Sequence, residues 1–177
     1  MTVLVMGVSG CGKTTVGAML ARELGWDFID ADDWHPEANR AKMKAGVPLQ
    51  DSDRMPWLDS LAELIRTHER DGKSLVLACS ALKRSYRQRL GFVEAAATAD
   101  GAGPALVERR LVFLRVDPPL SASRVSSRPG HFMNPSLVAS QFAALEEPIG
   151  PATLRVESSG ELKSLLSEIK AWLLAKA

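Results

Sequence analysis

Gly7, Gly12, Lys13 and Thr14 stand in the spacing G-x-x-x-x-G-K-[ST]. That spacing serves the holding of a phosphate chain. Glycines let a backbone curl until several N–H groups point at one anion. The helix that follows aims the positive end of its dipole at the same place. Lys13 adds a mobile positive charge for the β- and γ-phosphates, and the Thr14 hydroxyl is of the kind that ligates Mg²⁺. The residues expected to line this cradle are Gly7, Val8, Ser9, Gly10, Cys11, Gly12, Lys13, Thr14 and Thr15. A glycine-rich turn at a helix start is the plainer reading, but a buried strand before the loop and a helix after it are the context the motif requires.

A second group of reactive residues lies in DADDWHPEANRAKM, Asp30–Met43. Two acids in the spacing Asp30-x-Asp32 leave a strand end close to the phosphate loop. One can hold a Mg²⁺ shell through water, the role expected of Asp30. The other can take the proton of an attacking hydroxyl, the role expected of Asp32, with Asp33 as a rival. Such a pair at a strand end is also common loop polarity. Phosphate loops are shared by switches, motors and kinases. The base-reading pattern NKxD of guanine switches is missing, and the chain is short for a motor domain, which leaves a small-molecule kinase.

The elements that must position these groups alternate along the chain. Strand-like runs are Val3–Val8, Trp26–Asp30, Ser74–Cys79, Leu111–Val116 and Thr153–Ser158, the apolar ones β-branched as buried parallel strands are. Helical periodicity covers Thr14–Leu24, Pro36–Ala45, about Pro56–Arg70, Leu82–Ala97, Pro118–Ser127, Pro135–Glu147 and Glu161–Lys176, and TADGAGP (Thr98–Pro104) reads as a flexible loop. No internal repeat or interdomain linker interrupts the pattern. The expectation is an α/β domain spanning residues 1–177: a five-stranded parallel sheet with helices on both faces, ligands binding beyond the carboxyl ends of the strands.

Composition narrows the partners. The 177 residues are 46% hydrophobic and 24% charged with a net charge of +1. No overall field draws such a chain to nucleic acid or to an anionic membrane, and neither is expected as a partner. MTVLVM is a short apolar run without a basic flank, unlike a secretory leader. Two cysteines form neither a disulfide framework nor a zinc pattern, so a cytoplasmic setting is expected. Cys11 in the loop and Cys79 at the end of a neighbouring strand raise the expectation of oxidation sensitivity, with a Cys11–Cys79 disulfide as its extreme form.

Taken together, GVSGCGKT, DADDWHPEANRAKM, GVPLQDSDRMPWL, CSALKRSYRQRL and RPGHFMN…SQFAALEEP resemble the gluconate kinases, a family of P-loop small-molecule kinases. The resemblance runs from about Val3 to Pro148 and is weak through Phe92–Arg110 and in the final helix. The combination HPxxNxxKMxxGxPLxDxDRxPWL is far more specific than the phosphate loop. Shikimate kinases resemble the chain in general layout only. Cys11 departs from the serine or glycine frequent at that loop position, and Ala31 and Trp34 fall in a variable part of the acidic motif.

The resemblance implies a P-loop kinase fold with a helical lid over about residues 118–147. It implies ATP and Mg²⁺ as cofactors, D-gluconate as substrate phosphorylated at its 6-hydroxyl, and a homodimer. A polyol carboxylate needs a cation for its carboxylate, for which Arg54, Lys83 and Arg84 are candidates. Arg87 and Arg89 stand evenly between pocket and solvated helix face. His35 in DDWHP and His131 in RPGHF are further substrate-binding candidates. Arg124 and Arg128, four residues apart on one helix face, are expected to neutralise the transferring phosphoryl group, with Arg124 also on the nucleotide. Trp57 reads equally as pocket wall or packing. The competing readings are a P-loop kinase of another hydroxy or sugar acid, and a catalytically silent nucleotide-binding module.

Overall fold

β1 (Thr2–Met6) is buried at every position, and its side chains alternate between two cores. Val3 and Val5 enter one with Val16 and Leu20 of α1 (Lys13–Leu24) and Leu165, Leu166 and Ile169 of α7 (Leu162–Leu174). Leu4 and Met6 enter the other with Trp57, Leu58, Leu61 and Ile65 of α3 (Asp51–Arg70). A strand with both faces covered belongs in the middle of a parallel sheet. The computed structural model describes residues 1–92, 108–127 and 137–175, and within them the sheet runs β2-β3-β1-β4-β5, all pairs parallel. β3 is Leu75–Ala78 and β4 Arg109–Arg115, with β2 (Asp27–Asp30) and β5 (Thr153–Glu157) at the edges. Because β1 and β3 are neighbours, the phosphate loop after β1 and the Asp30 end of β2 flank the end of β3.

The remaining helices close the carboxyl ends of the strands. α2 (Glu37–Lys44) lies against α3: buried Asn39 donates to the Asp53 carbonyl at 2.9 Å, and Lys42 pairs with Asp53 at 2.7 Å. The asparagine and lysine of HPxxNxxKM therefore hold one helix on another. α4 (Arg84–Arg89), α5 (Pro118–Ser126) and α6 (Leu137–Ala144) complete the set. No helix among the described residues is long and apolar enough to cross a membrane.

Several boundaries differ from the periodicity. α3 begins at Asp51 instead of about Pro56. A capping box, in which Gln50 and Asp53 serve each other's backbone N–H groups, starts the helix early, and Pro56 sits inside it. α4 ends at Arg89 within the expected Leu82–Ala97, of which residues 93–97 fall outside the described residues: Gly91 takes φ +85° and the Phe92 N–H turns back to the Arg87 carbonyl at 2.8 Å. A 3-10 turn, Ala31–Trp34, follows β2 where no element was expected. The 98–104 loop falls outside the described residues. Cys11 and Cys79 are free thiols, each buried, in the two cores on opposite faces of the sheet. Burial pushes the Cys79 thiol up to about 12, so it stays protonated at neutral pH.

Candidate active site

Two glycines of the loop are held by close approach as well as conformation. A Cβ on Gly7 (φ +144°) would sit 2.6 Å from the Leu114 carbonyl, and one on Gly10 (φ +78°) 2.6 Å from the Ser121 carbonyl. The loop is thus pressed between β4 and α5. From the α5 side, the Ser121 hydroxyl donates to the Ser9 carbonyl at 2.7 Å. Lys13 folds over the loop, its Nζ donating to the Val8 carbonyl at 3.0 Å.

Asp30 ties the acidic motif to this loop. Its Oδ2 accepts from the Thr14 hydroxyl at 2.6 Å, and its Oδ1 accepts from the Asp32 N–H at 3.0 Å, capping the 3-10 turn. One carboxylate therefore fixes both the hydroxyl expected on Mg²⁺ and the backbone of the next acid. A hydroxyl beside a carboxylate is an all-oxygen set of the kind Mg²⁺ takes together with waters and phosphate oxygens. Among the described residues no cluster of three His, Cys, Asp or Glu could hold a metal by itself.

The loop faces two cavities. Gly10, Cys11, Gly12 and Thr15 line a cleft of about 340 Å³ with Arg124, Ser158 and Gly160. Arg124 spans this cleft, donating to the Gly10 carbonyl and the Ser158 hydroxyl, each at 3.3 Å, and to the Ser158 carbonyl at 3.0 Å. Ser9 and Lys13 line the other pocket, with Asp32, His35, Arg54, Trp57, Ser80, Lys83, Tyr86 and Gln141. Asp33, the rival of Asp32, is exposed and off this wall.

The cations divide in the same way. Arg54 lines the second pocket, donating to the Leu49 carbonyl at 2.6 Å and the Tyr86 hydroxyl at 3.3 Å. Lys83 also lines it and holds both Asp51 oxygens, at 2.8 and 2.9 Å. That bond keeps the Lys83 ammonium above its usual range. Arg84 is exposed and off the wall, its backbone N–H on the Glu146 carboxylate at 2.5 Å. Arg87 is fully buried and clamps the Ala81 and Leu82 carbonyls, each at 2.9 Å, a structural role. Arg89 forms an exposed fork with Asp59. Arg128 and His131 lie outside the described residues. The wall also contains Ser80, Tyr86 and Gln141, which the sequence reading did not single out. Tyr86 lies one helical turn past Lys83, the only signal it offered.

His35 is buried, with 5% of its surface exposed, and stacks on Trp57 with ring centroids 4.0 Å apart. Trp57 in turn donates to the Ala31 carbonyl at 2.9 Å, so it both packs and walls the pocket. The His35 Nδ1 has no hydrogen-bond partner among the described residues. Burial, then the charges of Arg54 and Arg40, lowers its pKa to about 4. His35 is therefore neutral at neutral pH and offers a ligand a donor and an acceptor. The unfolded chain takes up this proton below its ordinary value of 6.5, but the native state resists until about 4. Stability therefore falls with pH across that window. Between about pH 7.5 and pH 5 we expect the wild type to lose about 2 kcal/mol more than His35→Gln in urea unfolding. Parallel losses in the two proteins would show that His35 titrates normally.

A phosphate loop between a nucleoside-sized cleft and a pocket holding a carboxylate and cations, on a parallel sheet of this order, defines the class of P-loop kinases of small molecules. The family model described as AAA domain matches residues 3–148. The chain is 48% identical over 153 residues to the "Probable gluconokinase" of Mus musculus, covering 84% of this chain and 83% of that one. It is 45% identical to the gluconokinase of Gluconobacter oxydans, covering 82% of this chain and 75% of that one. The crystal structure of a gluconokinase from Sinorhizobium meliloti superposes with a TM-score of 0.80 at 38% identity, over 99% of this chain and 93% of that one. The chain belongs to the gluconokinase family.

Proposed function

We infer that this protein transfers the outer phosphoryl group of ATP to the 6-hydroxyl of D-gluconate. The observation that carries the reading is the bonded series Thr14–Asp30–Asp32, which joins the phosphate loop to the pocket where Asp32 meets Lys13, Arg54 and Lys83. The relatives' names supply the acceptor. In this reading the nucleoside occupies the cleft by Arg124, and its phosphates lie on the N–H groups from Gly7 to Thr15. Thr14 and Asp30 would hold Mg²⁺, which when bound neutralises the phosphate oxygens. Arg54 and Lys83 receive the carboxylate, His35 binds a hydroxyl, and Asp32 takes the proton of the 6-hydroxyl as it attacks in line. Lys13, Arg124 and Arg128 stabilise the spreading charge. Residues 118–147 serve as the lid that keeps water from the phosphoryl group, with His131 on its substrate side. A single domain, a homodimer and a cytoplasmic location belong to the same reading.

ADP formation is the test, followed with Mg²⁺–ATP and a panel of D-gluconate, shikimate, other sugar acids and neutral sugars. A rate with gluconate alone is expected. A rate with another acid instead reassigns the substrate and keeps the site. ATP binding with no rate across the panel overturns the enzyme in favour of a nucleotide-binding module.

A further inference from the structure

α6 reaches the phosphate loop through one side chain. The Gln141 Oε1 accepts from the Ser9 N–H at 2.7 Å, joining positions 132 residues apart. The same side chain stands in the wall of the acceptor pocket with Lys13 and Asp32. Beyond its C-terminal end, α6 is tied to the far side of that pocket. The Glu146 N–H donates to the Leu82 carbonyl at 2.9 Å, and the Glu146 carboxylate accepts from the Arg84 N–H at 2.5 Å. Gln141 is thus carried by a helix tied to the acceptor pocket while it touches the phosphate loop.

The two faces of the loop locate the point of transfer. Gly10, Cys11, Gly12 and Thr15 line the nucleoside cleft, whereas Ser9 and Lys13 line the acceptor pocket. A phosphoryl group passing from one cavity to the other passes Ser9, where Gln141 is bonded. A charged phosphate oxygen is a stronger acceptor for that N–H than a neutral amide carbonyl. Once displaced, the amide oxygen remains in the pocket wall as an acceptor suited to an alcohol hydroxyl, and it carries no charge to repel phosphate.

We propose that Gln141 is a positioning residue for the transfer: the outer phosphate takes the Ser9 N–H from it, and its freed amide then binds a hydroxyl of the acceptor. One hydrogen bond breaks and two form, so nucleotide and acceptor each favour the binding of the other, by the same factor in both directions. The inference rests on the proposed reaction and adds the means by which the two substrates sense each other.

The test is equilibrium binding with the full chain, using D-gluconate, ADP and a non-hydrolysable ATP analogue with Mg²⁺. In the wild type the analogue is expected to tighten gluconate by about tenfold. In Gln141→Ala that ratio falls to about one and kcat/KM for gluconate drops about tenfold. The alanine variant binds the analogue alone at least as tightly as wild type, because no side chain competes for Ser9. Gln141→Glu keeps the length but sets a carboxylate at the outer phosphate. It is expected to weaken the analogue about tenfold or more while leaving ADP, which lacks that phosphate, within about threefold. A wild-type ratio near one, an alanine variant that keeps the wild-type ratio, or a glutamate variant that weakens ADP as much as the analogue, each overturns the proposal. If the wild type turns over no gluconate, the acceptor assignment is what fails. The contrast between analogue and ADP in Gln141→Glu still decides whether Gln141 stands at the point of transfer.

Discussion

Lys13→Ala is expected to lower turnover by about 10³-fold while the protein still folds. The ammonium lines the acceptor pocket with Ser9 and Asp32, the side of the loop where, in the proposed reaction, charge spreads as the phosphoryl group moves. Among the described residues its bond is a single one, to the Val8 carbonyl at 3.0 Å. Losing such a bond costs about 1 kcal/mol, a shift of about 2–4 °C in melting for a chain of this size. The check is ADP formation beside a thermal melt of the same preparation. Turnover within about tenfold of wild type would remove Lys13 from the transfer step, because no lesser role spares a charge-stabilising group.

Asp32→Asn is expected to lower kcat by about 10²- to 10⁴-fold, the range of general-base catalysis, with nucleotide affinity little changed. Asparagine preserves shape and the hydrogen bond from the Asp32 backbone to Asp30, so the turn stays in place. The matched control is Asp33→Asn, expected to turn over within about twofold of wild type because the side chain is exposed and off the pocket wall. Full activity in Asp32→Asn, or the loss appearing in Asp33→Asn, would falsify the assignment of the base. Measuring kcat and KM separately for both acid variants distinguishes a lost base from a lost substrate contact.

The phosphate loop, the acid pair and the alternation of strands and helices were legible because each is local: the physics of φ, of a helix end and of a half-turn spacing is complete within a few residues. The placement of three groups of side chains was decided by distant contacts. Arg84 looked as good a carboxylate ligand as Lys83, but the rotation of α4 turns one outward and the other into the pocket. Arg87 stood evenly between pocket and solvated helix face, and it is instead buried as the clamp on the Ala81 and Leu82 carbonyls after β3. Cys11 and Cys79 follow neighbouring strands in the sequence pattern, and alternate faces of the sheet place them in separate cores.

By itself, then, the sequence determined the class of chemistry, since a glycine-lysine-threonine loop after a buried strand has few other uses, and the family, through motifs spread from Val3 to Pro148. Tertiary structure alone decided which acid and which cations share a wall, and brought Tyr86 and Gln141 to it. The reason is geometric. A pocket on a parallel sheet is assembled from the ends of strands that are neighbours in space but 16 to 132 residues apart in sequence, as in the bonds from Thr14 to Asp30 and from Ser9 to Gln141. Side-chain direction at those ends is set by helix rotation and packing, which no local pattern encodes.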